Sequence, residues 1–126
     1  MDYRPLGNSG LMVSTLTLGT VPFGGANGFE KAASVDVKGA KKLLDIAFDA
    51  GVNLVDTADL YSLGLAEEIT GKALGSKRDD IILATKGRSP LGDDPNATGA
   101  SRYHLIRAVE ASLKRLGTDH IDLYQL

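Results

Sequence analysis

Short apolar runs alternate with amphipathic helical stretches along this chain, and few architectures accept that alternation. Thr15-Leu16-Thr17-Leu18 alternates with period two, while Val52-Asn53-Leu54-Val55, Ile81-Ile82-Leu83-Ala84 and Ile121-Asp122-Leu123-Tyr124 are short, aliphatic or β-branched, and bounded by breakers. Four strands are predicted. Between the first two, Ala40, Leu43, Leu44, Ala47 and Phe48 recur at i, i+3, i+4, i+7 and i+8, which lays them on one face of a helix, with Gly51 placed for a left-handed C-terminal cap. A shorter helix follows on Ala66, Ile69, Ala73 and Leu74 and stops at Gly75. A third uses Leu105, Ala108, Val109, Ser112, Leu113 and Leu116, with Ser101 as N-cap and Gly117 as terminator.

The resulting order, β-α-β-α-β-α-β, calls for parallel strands joined by right-handed crossovers, as in doubly wound sheets and in (β/α)₈ barrels. A dinucleotide-binding doubly wound sheet opens with Gly-x-Gly-x-x-Gly at its first strand-to-helix turn. Here that turn is Gly19-Thr20-Val21-Pro22-Phe23-Gly24-Gly25, whose glycine spacing fails the pattern. Residues 1–14 hold two short segments around Gly7-Asn8-Ser9-Gly10, a turn signal for an extra hairpin. The favoured α/β architecture is the (β/α)₈ TIM barrel. Residues 1–14 then form a hairpin plug, and residues 15–126 supply strands one to four with helices one to three. Such barrels take about 250 residues, so 126 residues are expected to hold the N-terminal half of one.

Charge and composition remove several partner classes. The formal net charge is −2 and the 14 Lys and Arg are scattered, which leaves no basic footprint for nucleic acid or an anionic membrane. There is no cysteine, hence no disulfide, thiol nucleophile or thiolate metal site, in keeping with a reducing compartment. Asp2, Arg4 and Pro5 stand where a signal peptide needs apolar residues, and no apolar run approaches the roughly eighteen residues of a membrane span. The expected setting is cytoplasmic.

Parallel strands would bring Gly19-Thr20, Asp56, Lys86 and Gln125 together at the C-terminal strand ends, where such barrels keep their chemistry. Asp56 and Lys86 end otherwise apolar strands, and an isolated charge there is costly, so the two are expected to pair. A salt bridge alone would account for that pair. Tyr61, five residues past Asp56, could fold its hydroxyl over the same mouth or simply pack on the next helix. A carbonyl that accepts hydride needs a proton at oxygen, and a free phenol is a weak acid at neutral pH. A Lys⁺ about 4 Å from the phenol oxygen would stabilise the phenolate by roughly 4 kcal/mol at an effective dielectric near 20, and Asp56 would hold that ammonium in place.

These residues resemble the aldo-keto reductase family, in particular its bacterial and potassium-channel-β-like branch. Asn53-Leu54-Val55-Asp56-Thr57-Ala58-Asp59-Leu60-Tyr61 is similar to the family's first signature, continued by Gly64-Leu65-Ala66-Glu67-Glu68-Ile69-Thr70-Gly71-Lys72-Ala73-Leu74. Ala84-Thr85-Lys86 resembles its lysine strand, and Ser101 to Leu126 its third helix and fourth strand. The resemblance implies NADPH/NADP binding, or less often NAD(H), and hydride transfer to a small aldehyde or ketone. It makes Tyr61 the proton donor, Lys86 the cation that renders the phenol more acidic, and Asp56 the lysine's support near the cofactor. Gly19 and Thr20 match positions where the first strand end approaches the cofactor. The Gly87–Gly99 loop resembles a longer loop lining the substrate mouth. Departures accompany the likeness. The family carries a histidine directly after a stretch like Tyr124-Gln125-Leu126, where this sequence stops, so the chain by itself is expected to reduce poorly. His104 and His120 cannot replace it and are expected at the surface. Ser62 and Ala66 stand where many members have Gly and Ser, and are expected to be harmless. The rival reading is a non-catalytic module of the same fold, a cofactor sensor or a half-barrel that self-associates through its open edges.

Overall fold

The computed structural model describes residues 1–32 and 34–126, beginning with an antiparallel ribbon of β1 (Tyr3–Pro5) and β2 (Met12–Ser14). Its turn places Gly7 at φ +54° and Gly10 at φ +80°, a region that L side chains rarely enter. A second sheet orders β3 (Leu18–Gly19), β4 (Leu54–Asp56), β5 (Ile82–Lys86) and β6 (Leu123–Gln125) side by side, all parallel, with β3 and β6 at its edges. Three helices make the crossovers: α1 (Val37–Asp49), α2 (Leu65–Leu74) and α3 (Arg102–Leu116). This is the parallel α/β layout with a preceding hairpin that the alternation predicts.

The strands begin one to three residues later than the apolar runs suggest. The first shifts most, to Leu18–Gly19 in place of 15–18. Residues 15–17 are instead spent turning from ribbon to sheet, held where Thr15 N–H donates to the Asp2 carbonyl (2.9 Å) and the Ser14 hydroxyl donates to the Leu16 carbonyl (2.6 Å). At the other strands the ladder continues into Asp56, Lys86 and Gln125. A hydrophobicity pattern drops these polar positions, although the backbone pairs regardless of what the side chain carries.

Strand alternation sorts the residues between two faces. Val55, Leu83 and Thr85 point toward the helices and are fully buried, whereas Thr17, Gly19, Leu54, Asp56, Ala84, Leu123 and Gln125 line the concave side, where Leu6 of the ribbon also reaches. The core between sheet and helices includes Phe23, Ala40, Leu44, Ile69, Leu74 and Leu116. Each fully buried large apolar side chain contributes roughly 1.5–3 kcal/mol. Leu43, placed on the buried face of α1 by spacing, is 40% exposed. The helix instead presents Ala40 and Leu44 to the core and leaves Leu43 at its flank.

The caps follow ordinary helix chemistry. The Asp36 carboxylate accepts from Gly39 N–H at 2.8 Å, and the Ser101 hydroxyl accepts from His104 N–H at 3.1 Å, each worth about 1 kcal/mol. Gly51 (φ +87°) and Gly117 (φ +65°) leave their helices in the left-handed region. Inside α2, Gly71 touches the Leu116 carbonyl so closely that any Cβ there would collide with backbone, which fixes how near α3 approaches. The ribbon is stitched to the sheet by Asn53. Its side chain accepts from Ser14 N–H (2.7 Å) and donates to the Met12 carbonyl (3.0 Å), and its own N–H donates to the Ser14 hydroxyl (3.1 Å). Among the described residues no helix is long and apolar enough to cross a membrane.

Candidate active site

The parallel register sets Gly19 level with Asp56, and Lys86 level with Gln125, so the polar ends of three strands converge beside Gly19 at one end of the sheet. Lys86 Nζ donates to Asp56 Oδ2 at 2.5 Å, to the Thr57 carbonyl at 3.0 Å and to the Tyr61 hydroxyl at 3.2 Å. An ammonium has three protons, and here each has an acceptor. Gln125 Nε2 donates to the other carboxylate oxygen, Asp56 Oδ1, at 3.0 Å. Both Lys86 and Asp56 keep about a third of their side-chain surface open (32% and 27%). The pair therefore faces the mouth and is not sealed in the core.

Tyr61 does fold back over the mouth. Its ring lies with Lys86 Nζ 5.0 Å from its centroid and the Phe29 ring 6.1 Å away, tilted by 59°. Because the phenol oxygen accepts from Lys86, its own proton remains available to another acceptor. Gly19 and Thr20 differ from each other. Gly19 sits on the concave side with open space where a Cβ would project, while Thr20 is fully buried and both its N–H and its hydroxyl donate to the Asp56 carbonyl (3.0 and 3.1 Å). The concave trough along Gly19, Leu54, Asp56, Ala84, Leu123 and Gln125 has a volume of about 480 Å³.

The chain leaves Tyr61 by a route that the sequence does not announce. Ser62 (φ +50°) and Leu63 (φ +51°) are both left-handed, followed by Gly64 at φ +92°. Each non-glycine residue there costs roughly 1–2 kcal/mol. Ser62 is fully buried, donates its hydroxyl to the Phe23 carbonyl (3.3 Å) and accepts from Ala26 N–H (3.3 Å), while its carbonyl accepts from Asn27 Nδ2 (3.2 Å). It is thus a structural junction whose polar atoms are bonded to the loop. Ala66 is fully buried in the core.

Behind the sheet lies a second polar group, missed because its residues read as helix surface or strand filler. Glu67, with no exposed surface, accepts from the Thr85 hydroxyl (2.6 Å) and from Arg115 Nε (2.6 Å). His104, expected at the surface, is buried at 5% exposure. The reason is geometric: His104, Ala108, Ser112 and Leu116 recur every four residues and form the stripe of α3 that meets the sheet, one position before the face read from Leu105. His120, by contrast, is half-exposed beside Asp119. His104 Nε2, Asp59 Oδ2, Thr57 Oγ1 and Tyr124 OH are buried without a hydrogen-bond partner among the described residues. Burial pushes the Asp59 carboxyl up to about 6, with the Glu67 charge adding to the rise and Arg115 and His104 opposing it. Burial likewise raises the Tyr124 phenol to about 12, with Asp59 and Glu67 contributing.

A parallel α/β sheet preceded by a hairpin, with Asp56, Tyr61 and Lys86 gathered at its C-terminal strand ends, has the layout of part of a TIM barrel. The profile of the aldo/keto reductase family matches residues 15–126, and the chain belongs to that family. It is 45% identical over 130 residues to a probable voltage-gated potassium channel subunit beta of Arabidopsis thaliana, covering 98% of this chain and 36% of that protein. It is 39% identical over 128 residues to an aldo-keto reductase of Bacillus subtilis, covering 100% of this chain and 38% of that one. The solved holo form of an aldo-keto reductase from Bacillus halodurans superposes with a TM-score of 0.80 at 42% identity, over 100% of this chain and 40% of that one. The chain thus spans well under half the length of these relatives.

Proposed function

We propose that this chain forms the first four β/α units of a (β/α)₈ barrel and carries the proton-delivery residues of an NADP(H)-dependent reductase of small aldehydes or ketones. The observation that carries this reading is the Lys86 ammonium with three acceptors, one of them the Tyr61 oxygen. In that arrangement Tyr61 gives its own proton to the carbonyl oxygen of the substrate. The phenolate left behind is stabilised by Lys86, whose charge is in turn held by Asp56. Asp56 is oriented from its far side by Gln125, so the ammonium's direction is set by two strands.

A reduced nicotinamide cofactor would supply the hydride, and the residues present fit one. Gly19 leaves open space at the first strand end, Asp56 and Gln125 offer polar atoms, and Thr20 anchors that strand end from within. NADP(H) is preferred over NAD(H) by the family resemblance alone. The reading carries with it a cytoplasmic setting. Tyr61→Phe in the complete barrel to which these four units are proposed to belong is the test: NADPH-dependent reduction of an activated aromatic aldehyde should fall by about 10²–10⁴ while NADPH binding is retained. Undiminished turnover would remove Tyr61 from the role.

The likeness to a probable potassium channel subunit beta supports a second reading, a cofactor-binding regulatory module of the same fold. Such a module needs the trough but has no use for a phenol poised beside an ammonium. NADPH binding without any aldehyde turnover by the complete barrel would favour it.

A further inference from the structure

Lys86 meets three acceptors only while Asp56 keeps one carboxylate oxygen, Oδ2, turned toward β5. Nothing in an aspartate side chain makes that choice, because its terminal torsion is broad and two-fold. The choice falls to the group on the other oxygen, Oδ1, and that group is the Gln125 amide at 3.0 Å. Gln125 does not come from a neighbouring strand. Asp56 stands on β4 and Gln125 on β6, with β5 between them, so their backbones lie roughly 10 Å apart. The side chain crosses β5 near Ala84, which is level with Asp56 and Leu123 and offers only a methyl group to the concave side. A larger residue at 84 would stand in the path, and a shorter amide at 125 would not reach the carboxylate. An amide also suits the place chemically, since it donates to a carboxylate without bringing a charge that competes with Lys86.

We infer that Gln125 is a positioning residue for Lys86: spanning β5 over Ala84, it occupies Asp56 Oδ1 and so reserves Oδ2 for the ammonium that faces Tyr61. The inference rests on the proposed role of Lys86 and Tyr61 in proton delivery. The Gln125 amide makes no hydrogen bond to either of them among the described residues. It acts through the carboxylate.

The test uses the complete barrel to which these four units are proposed to belong. Gln125→Met keeps the length of the side chain and removes the donor, whereas Gln125→Asn keeps the amide and loses the reach. Reductive methylation of Lys86 without cofactor, followed by peptide mass spectrometry, reads how firmly the ammonium is held. In both variants it should run about three- to tenfold faster, as for an ammonium that loses part of its hydrogen bonding. The unfolding midpoint should not move. The kcat for an activated aromatic aldehyde with NADPH should fall about tenfold through the misplaced cation. Unchanged labelling in either variant overturns the inference, and so does faster labelling that comes only with a lowered midpoint. Faster labelling with an undiminished kcat keeps Gln125 as the residue that places Lys86 and removes the proton-delivery reading instead.

Discussion

Thr85 and Lys86 are neighbours on β5, and strand alternation sends them to opposite sides of the sheet and into two differently built polar groups. Lys86 enters the mouth, where the charged atoms are partnered and about a third exposed. Thr85 enters the back, where Glu67 and Arg115 are tightly bonded and Glu67 is completely buried, next to polar atoms that have no partner among the described residues. Exposure to solvent screens the mouth pair, so its contribution to stability is modest. Burial leaves the back pair dependent on each partner, because the loss of one strands an uncompensated charge. On the proposed function the mouth serves chemistry while the back holds the fold, and one strand serves both.

Replacing a cation with methionine on each side tests that contrast. Lys86→Met in the complete barrel should lower aldehyde reduction by about 10²–10⁴ and leave the denaturant midpoint close to its original value. Retained activity would dissolve the distinction from the chemical side. Arg115→Met should do the reverse, costing about 3–5 kcal/mol of unfolding free energy by leaving Glu67 buried without its cation. An unchanged midpoint in denaturant would show that the back network is ornamental to stability.

A smaller effect sharpens the comparison through pH. The Asp59 carboxyl sits at about 6 in the folded chain against an ordinary 3.8. Between those values the folded state keeps a proton that the unfolded chain has already released, so this group's contribution to stability falls as pH rises from about 4 to about 6. In Asp59→Asn that decline disappears. The difference in unfolding free energy between the two proteins, followed over this interval, should therefore slope. A flat difference would mean that the carboxyl is not held in a buried, charge-averse setting.

Much of this contrast could be read from the sequence on one side only. Asp56 and Lys86 stood out because charged residues ending apolar strands need a reason, Tyr61 because it lies five residues past Asp56, and Gly51, Ser101 and Gly117 marked helix ends through local backbone chemistry. The four-stranded order followed from the alternation itself. The back network escaped notice since Glu67 and Arg115 are ordinary helix residues until a partner helix faces them, a contact 48 positions apart. His104 was misplaced because a helical face read in steps of three and four tolerates a one-position rotation. Ser62 stood out only as a departure from the Gly that many family members have; its left-handed backbone depends on the loop that lands on it, which nothing in the neighbouring letters encodes.

Asn53 carries one further consequence. Sliding β4 by a single residue would turn Asp56 away from the mouth and send Val55 toward it. The same slip would tear the bonds that tie Asn53 to Ser14 and Met12. The ribbon below the sheet thus works as a gauge for the strand above it, and the carboxylate at the top of β4 takes its alignment from an amide at the bottom.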